Sequence, residues 1–178
     1  MILNRFDIFL EGEDVLLCSI SKEHIEKLRK WRNKEEIRKN FLNTDIISAE
    51  QQNQWFSSYI KKDNDIMFII KDKKNQEEVG AIALYNIDSE KKQAEYGRLM
   101  IGEESAKGKG IALKSIKLML DFAFNELLLD KVYMDVFTEN YPSININKKL
   151  GFKETSTRME KGRILQVLEL IKGDYSID

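Results

Sequence analysis

The residues of this chain best suited to chemistry are Ser105-Ala106-Lys107-Gly108-Lys109-Gly110-Ile111-Ala112. They follow a strand-like run, 93–101, and precede a long apolar helical run, 111–124. Two near-adjacent glycines let a turn bring its backbone close to a ligand. The first N–H groups of the following helix have no intrahelical acceptor and converge on the same spot. That combination suits phosphate, and therefore a phosphorylated cofactor. An ordinary surface turn ahead of a helix would carry the same residues.

Spacing narrows the choice. A Walker A loop has four residues between its first Gly and Gly-Lys-Ser/Thr. Here five separate Gly102 from Gly108, and Lys109 is followed by Gly110, so the Mg²⁺-binding hydroxyl is missing. A dinucleotide fingerprint needs a small residue three positions after its second Gly, and that position holds Leu113. Neither pattern fits.

The loop must be positioned by its neighbours. Val15 to Ile20 reads as a strand. Ser21 is a helix N-cap ahead of Ile25, Leu28 and Trp31 on one helical face, running to about Asn33. A short helical piece follows near 35–40, and Ser48-Ala-Glu-Gln51 has capping-box spacing and opens a helix to about Lys61. Three apolar runs, 65–71, 79–87 and 93–101, are separated by short polar turns and predict an antiparallel meander. After the glycine loop, Ala112, Ile116, Met119 and Ala123 mark one helical face. A strand over 131–138, a Pro-led helix over 142–150 closed by Gly151, and a last strand over 164–171 complete the order. This is an α+β chain with a single mixed sheet.

The chain has 178 residues, and one domain spanning 1–178 is expected. Its net charge of −1 provides no global field for nucleic acid or an acidic membrane surface. One cysteine, Cys18, excludes an internal disulfide and reads as a core residue. With a single histidine, His24, a zinc site is not expected, and His24 itself reads as a surface or boundary residue. The first residues show no signal-peptide pattern and no apolar run reaches membrane-spanning length. A cytoplasmic protein without a membrane, nucleic-acid or metal partner is expected, as a monomer or homodimer.

Three segments together resemble the GNAT superfamily of N-acetyltransferases. They are Ala94-Glu-Tyr-Gly-Arg-Leu-Met-Ile101, the glycine loop, and Asn140-Tyr-Pro-Ser-Ile-Asn-Ile-Asn-Lys-Lys-Leu-Gly-Phe152. The loop is similar to Arg/Gln-x-x-Gly-x-Gly/Ala, and the third segment to Asn-x-x-Ala/Ser-Ile…Lys-Leu-Gly-Phe. The resemblance covers roughly 14–171. It implies the acyl-CoA N-acyltransferase fold, a mostly antiparallel sheet with helices on both faces, and acetyl-CoA as cofactor. Ala106, Lys107, Gly108, Lys109, Gly110 and Ile111 would wrap the pyrophosphate. The backbone of Leu99, Met100 and Ile101 would pair with the pantetheine arm, with a backbone N–H near Met100 holding the oxyanion. Asn140 and Ser143 would hold the pantetheine, and Lys149 would add positive charge. The strand over 131–138 would splay from 93–101 to admit the thioester.

The resemblance also implies acyl transfer from the thioester to a neutral amine. Glu95 is the candidate base. Asn147 stands where many members carry a tyrosine acid, and Asn there resembles the ribosomal-protein N-terminal acetyltransferase branch; it would donate to the departing sulfur, or the thiolate would leave without a dedicated acid. Ser105 replaces the usual Arg or Gln. The segments around Trp31, Arg32 and Arg38 resemble acetyltransferases of nucleotide-linked amino sugars, which implies that these three wall the acceptor site. Asp135 and Glu139 would suit a cationic acceptor instead. The acceptor is thus a small-molecule primary amine or a peptide N-terminus: a nucleotide-linked amino sugar, a ribosomal-protein N-terminus, a polyamine or an aminoglycoside-like amine. A non-catalytic acyl-CoA-binding regulatory module is the reading of another class.

Overall fold

The computed structural model describes residues 4–175. The described residues form eight strands, most of them apolar runs broken by polar turns: β1 (Phe9–Glu11), β2 (Val15–Ser19), β3 (Asp65–Asp72), β4 (Glu77–Asp88), β5 (Gln93–Ile101), β6 (Lys131–Phe137), β7 (Lys153–Glu160) and β8 (Arg163–Ile171). They form one sheet in the order β1-β2-β3-β4-β5-β6-β8-β7, antiparallel throughout except where β5 meets β6. The helices are α1 (Ile25–Asn33), α2 (Glu35–Arg38), α3 (Ala49–Tyr59), α4 (Ile111–Asp121) and α5 (Tyr141–Lys149).

The sheet separates two apolar cores. Ile116, Met119 and Leu120 of α4 and Ile144 of α5 pack with Phe68, Leu84 and Tyr96 on one side. On the other, Leu28 and Trp31 of α1 and Tyr59 of α3 pack with Met67, Ile69, Ala81 and Met100. The expected α+β sheet with helices on both faces is therefore present.

Local signals act as their chemistry dictates. Ser48 and Gln51 exchange capping-box hydrogen bonds at the start of α3. Ser21 and His24 do the same, with the Ser21 N–H donating to His24 Nδ1 at 2.9 Å, so the single histidine serves as a cap. Two strands lie outside the sequence expectation. Strand β7 is the sheet's outer edge and is exposed along nearly its whole length, so Lys153–Glu160 carries no apolar alternation to reveal it. Strand β1 is only three residues long.

Two irregularities shape the centre of the sheet. Between the pairs Ala81↔Met100 and Ala83↔Gly97, two residues of β5 oppose one of β4, and Arg98 takes a φ of 51°. Between Tyr85↔Glu95 and Asp88↔Gln93 the extra residue lies in β4, where Asn86 has a φ of 50°. Such bulges redirect side chains that a regular strand would alternate between faces.

Candidate active site

Strands β5 and β6 pair only through Gln93↔Lys131, Ala94↔Val132 and Glu95↔Tyr133. Beyond Glu95 they part, and β5 loses its neighbour on that side. The gap holds a cavity of about 200 Å³ lined by Glu95, Leu99, Met134, Asn140 and Ser143 among others. The splay expected from the sequence is present, and it brings Glu95, Leu99, Asn140 and Ser143 to one place.

Glu95 is half-buried at this gap. Its Oε1 accepts from the Tyr85 hydroxyl at 2.9 Å and its Oε2 accepts from Asn86 Nδ2 at 2.9 Å. Tyr85 and Asn86 are consecutive, and in a regular strand they would point to opposite faces. The bulge at Asn86 turns both toward the same carboxylate. Burial, and then the Glu95 charge, push the Tyr85 phenol well above its ordinary range, so Tyr85 remains a neutral donor. Gly97 makes the contact possible: a Cβ there would lie 2.7 Å from the Tyr85 hydroxyl. Sequence reading missed Tyr85, Asn86 and Gly97. Only the hairpin register that pairs Tyr85 with Glu95 reveals them.

The glycine loop lies between β5 and α4. Gly108 and Gly110 have φ of 72° and 73°, and a Cβ at either would meet nothing within 4 Å. Their backbone is left-handed and the space before them is open. Gly110 is also the N-cap of α4, where no side chain caps the helix and no acidic residue occupies the first turn. The N–H groups of a first helical turn need an acceptor, and here the protein supplies no side-chain one. A pyrophosphate fits that arrangement, with Lys109 exposed beside it. Lys107 is committed to Glu104 and, at 3.6 Å, to Glu36. Ala106 and Ile111 are buried, so only their backbone faces the loop's open side. Lys149 is exposed at the last turn of α5. The loop is tied to the first helices: Trp31 Nε1 donates to Glu103 at 2.7 Å and Lys34 Nζ donates to the Gly102 carbonyl.

Asn140 caps α5 by accepting from the Ser143 N–H at 3.3 Å, which orders the turn. Asn147 lies inside the protein. It has no exposed surface, its Oδ1 accepts from the buried Tyr96 hydroxyl, and its Nδ2 donates to the Ser143 carbonyl at 2.9 Å. Its polar atoms are engaged inside the protein, and it does not line the gap. Asn147 thus ties α5 to β5.

Trp31 is likewise enclosed. It is 2% exposed, and its ring fills the space that the missing Cβ of Gly102 leaves, where a Cβ would lie 2.1 Å from the ring. The indole packs in the core beneath α1 and α3. Arg32 does line a cavity, one of about 340 Å³ between α1, α3 and the sheet. Arg38 lies behind it, donating to the Thr44 carbonyl at 3.0 Å. Asp135 and Glu139 are paired with Arg158 and Arg163. Met100 is buried in the helix-side core, while Leu99 and Ile101 are partly buried. Among the described residues no group of His, Cys, Asp and Glu could hold a metal, and no helix is long and apolar enough to cross a membrane.

Known proteins share this chain's family and fold. The model of the acetyltransferase (GNAT) domain matches residues 14–153. An N-acetyltransferase 9-like protein of Caenorhabditis briggsae is 28% identical over 160 residues, covering 84% of this chain and 80% of that protein. A spermidine N-acetyltransferase of Vibrio cholerae, solved in complex with CoA and spermine, superposes with a TM-score of 0.83 at 19% identity, over 92% of this chain and 99% of that one. FdhC, a nucleotide-linked sugar GNAT, superposes with a TM-score of 0.80 at 19% identity, over 95% and 93%.

Proposed function

The chain belongs to the GNAT acetyltransferase family and is an acetyl-CoA-dependent N-acetyltransferase, and from that premise we propose that Glu95 is the base of acetyl transfer to a primary amine bound in the gap between β5 and β6. Acetyl-CoA supplies an activated acyl group as its thioester. The Gly108–Gly110 turn and the first turn of α4 receive its pyrophosphate, and the open edge of β5 over Leu99–Ile101 takes the pantetheine arm. Asn140 and Ser143 line the same gap. A backbone N–H near Met100 serves the oxyanion.

An amine attacks only when neutral, so its proton needs an acceptor. The observation that carries the reading is the Glu95 carboxylate, held by Tyr85 and Asn86 at the mouth of this cavity. Two donors fix its orientation before substrate arrives. With Asn147 buried, the thiolate leaves without a dedicated acid, as a group of pKa about 8.5 is able to do.

A nucleotide-linked amino sugar is the acceptor we favour, with a protein N-terminus as the second candidate. The polyamine reading rests on likeness to the spermidine enzyme. Against it, Asp135 and Glu139, the carboxylates that would hold a cation, are spent on arginines. Thiol release from acetyl-CoA with a panel of amines, followed by mass spectrometry of the products, tests the assignment. Products acetylated on an amine nitrogen are expected; thiol release that no amine accelerates would contradict it.

A further inference from the structure

The charges around the two cavities do not balance. Asp65 is 2% exposed and meets Arg98 through two parallel hydrogen bonds of 2.7 and 3.0 Å. Asp135 is held by Arg158 and Glu139 by Arg163. Each of these carboxylates has its own arginine. Arg32 and Arg38 have no carboxylate partner among the described residues. Each donates to one backbone carbonyl, Arg32 to Asn43 at 2.5 Å and Arg38 to Thr44 at 3.0 Å. Arg32 Nη1 and Arg38 Nε are buried with no hydrogen-bond partner.

Buried donors on a charged group are costly to leave unpaired. Burial, and then the neighbouring Arg38 charge, lower the Arg32 pKa, the signature of a cation that lacks a counter-ion. Arg32 also lies over the Phe41 ring, with its guanidinium carbon 3.8 Å from the centroid. A cation–π contact restrains a group whose fork geometry matches phosphate and carboxylate. Arg32 and Phe41 line the 340 Å³ cavity; no Asp or Glu does, and its other charged residue, Arg98, is neutralised by Asp65. Phe41 and Arg98 also line the 200 Å³ cavity that contains Glu95, so the two spaces adjoin.

We propose that the larger cavity receives the part of the acceptor beyond its amine, and that Arg32, reinforced by Arg38, selects acceptors carrying an oxyanion there, either phosphate or carboxylate. This rests on the reading of the Glu95 gap as the transfer centre. It also predicts discrimination against polyamines, because a polycation would meet an uncompensated guanidinium in a partly desolvated space.

Matched acceptors test it. kcat/KM is measured for a nucleotide-linked 4-amino-4,6-dideoxy sugar against the same amino sugar without the nucleotide, for a short peptide with Glu near its N-terminus against its Gln twin, and for spermidine. The anionic member of at least one pair should be favoured about tenfold or more, the size of a charge-assisted hydrogen bond. Its advantage should disappear in Arg32→Gln, with the KM for acetyl-CoA unchanged. The two pairs separate a phosphate source from a carboxylate source. Equal rates within both pairs, or a preference for spermidine, overturn the proposal while leaving acetyl transfer intact. Absence of transfer to every amine instead overturns the transfer-centre reading. Calorimetry with inorganic pyrophosphate and CoA-saturated protein then decides the anion site alone: binding that weakens in Arg32→Gln supports it, and no binding refutes it. The ranking of acceptors by the unaltered protein stands even if Arg32→Gln fails to fold.

Discussion

The Tyr85 hydroxyl donates to the Glu95 carboxylate at 2.9 Å, across a pair of residues directly opposite in the β4–β5 hairpin. Loss of a hydrogen bond to a charged group is worth roughly 1.5–3 kcal/mol. Tyr85→Phe should therefore lower kcat by about tenfold or more, with the affinity for acetyl-CoA unchanged. An unaltered kcat would show that the contact does not orient the base.

Gly97 should matter for the same reason. A Cβ at this position intrudes on the Tyr85 hydroxyl, which must shift from its place beside Glu95 to admit it. Gly97→Ala should lower kcat in the direction of Tyr85→Phe. In a double-mutant cycle the two losses should fall well short of additive, since both remove one contact. Full additivity would mean that Gly97 acts elsewhere.

The glycine turn gives a binding prediction. At Gly110 no atom obstructs a side chain, but the φ of 73° is one that a β-branched residue adopts only with strain. Gly110→Val should remove detectable acetyl-CoA binding by calorimetry while costing only about 1–3 kcal/mol of stability. A folded variant that retains affinity would contradict the loop's assignment.

Asn147 should behave as part of the core. Asn147→Ala strands the Tyr96 hydroxyl, which lies among apolar residues, at a cost of about 1–3 kcal/mol read as a lower Tm. Removing both partners, as in Tyr96→Phe with Asn147→Leu, should recover much of that loss. A large fall in kcat with an unchanged Tm would restore the role of acid that the burial of Asn147 argues against.

Alkaline unfolding follows from the buried phenols. Burial raises Tyr85 and Tyr96 well above the ordinary tyrosine range. A group whose folded pKa is raised contributes stability that is complete below its unfolded value, about 10, and is lost as pH climbs toward the folded value. Tm should be insensitive to these two groups up to about pH 9 and fall above about pH 10. A Tm that holds steady well above that pH would contradict their burial as neutral donors.

Much of this was legible in the sequence because it is written in backbone terms. The apolar runs 65–71, 79–87 and 93–101 announced the meander, and Gly108 and Gly110 announced the left-handed turn ahead of α4. Asn140 through Gly151 announced the capped helix α5. What escaped is set by long-range register. Nothing in the order of residues reveals that a bulge at Asn86 would turn it toward Glu95 alongside Tyr85. Helical periodicity cannot tell a core face from a site wall, so nothing near Trp31 in sequence reveals that its ring packs against the distant Gly102. Asn147 occupies a familiar motif position, yet its partner Tyr96 lies 51 residues away.

The central claim is that Glu95 takes the proton of the attacking amine. Single-turnover acetyl transfer by Glu95→Gln at neutral pH, with the best amine from the acceptor panel, tests it most directly. A positioned general base contributes about 10²–10⁴-fold. The rate should fall by about a hundredfold or more while the Kd for acetyl-CoA stays at the wild-type value; an unchanged transfer rate would contradict the assignment.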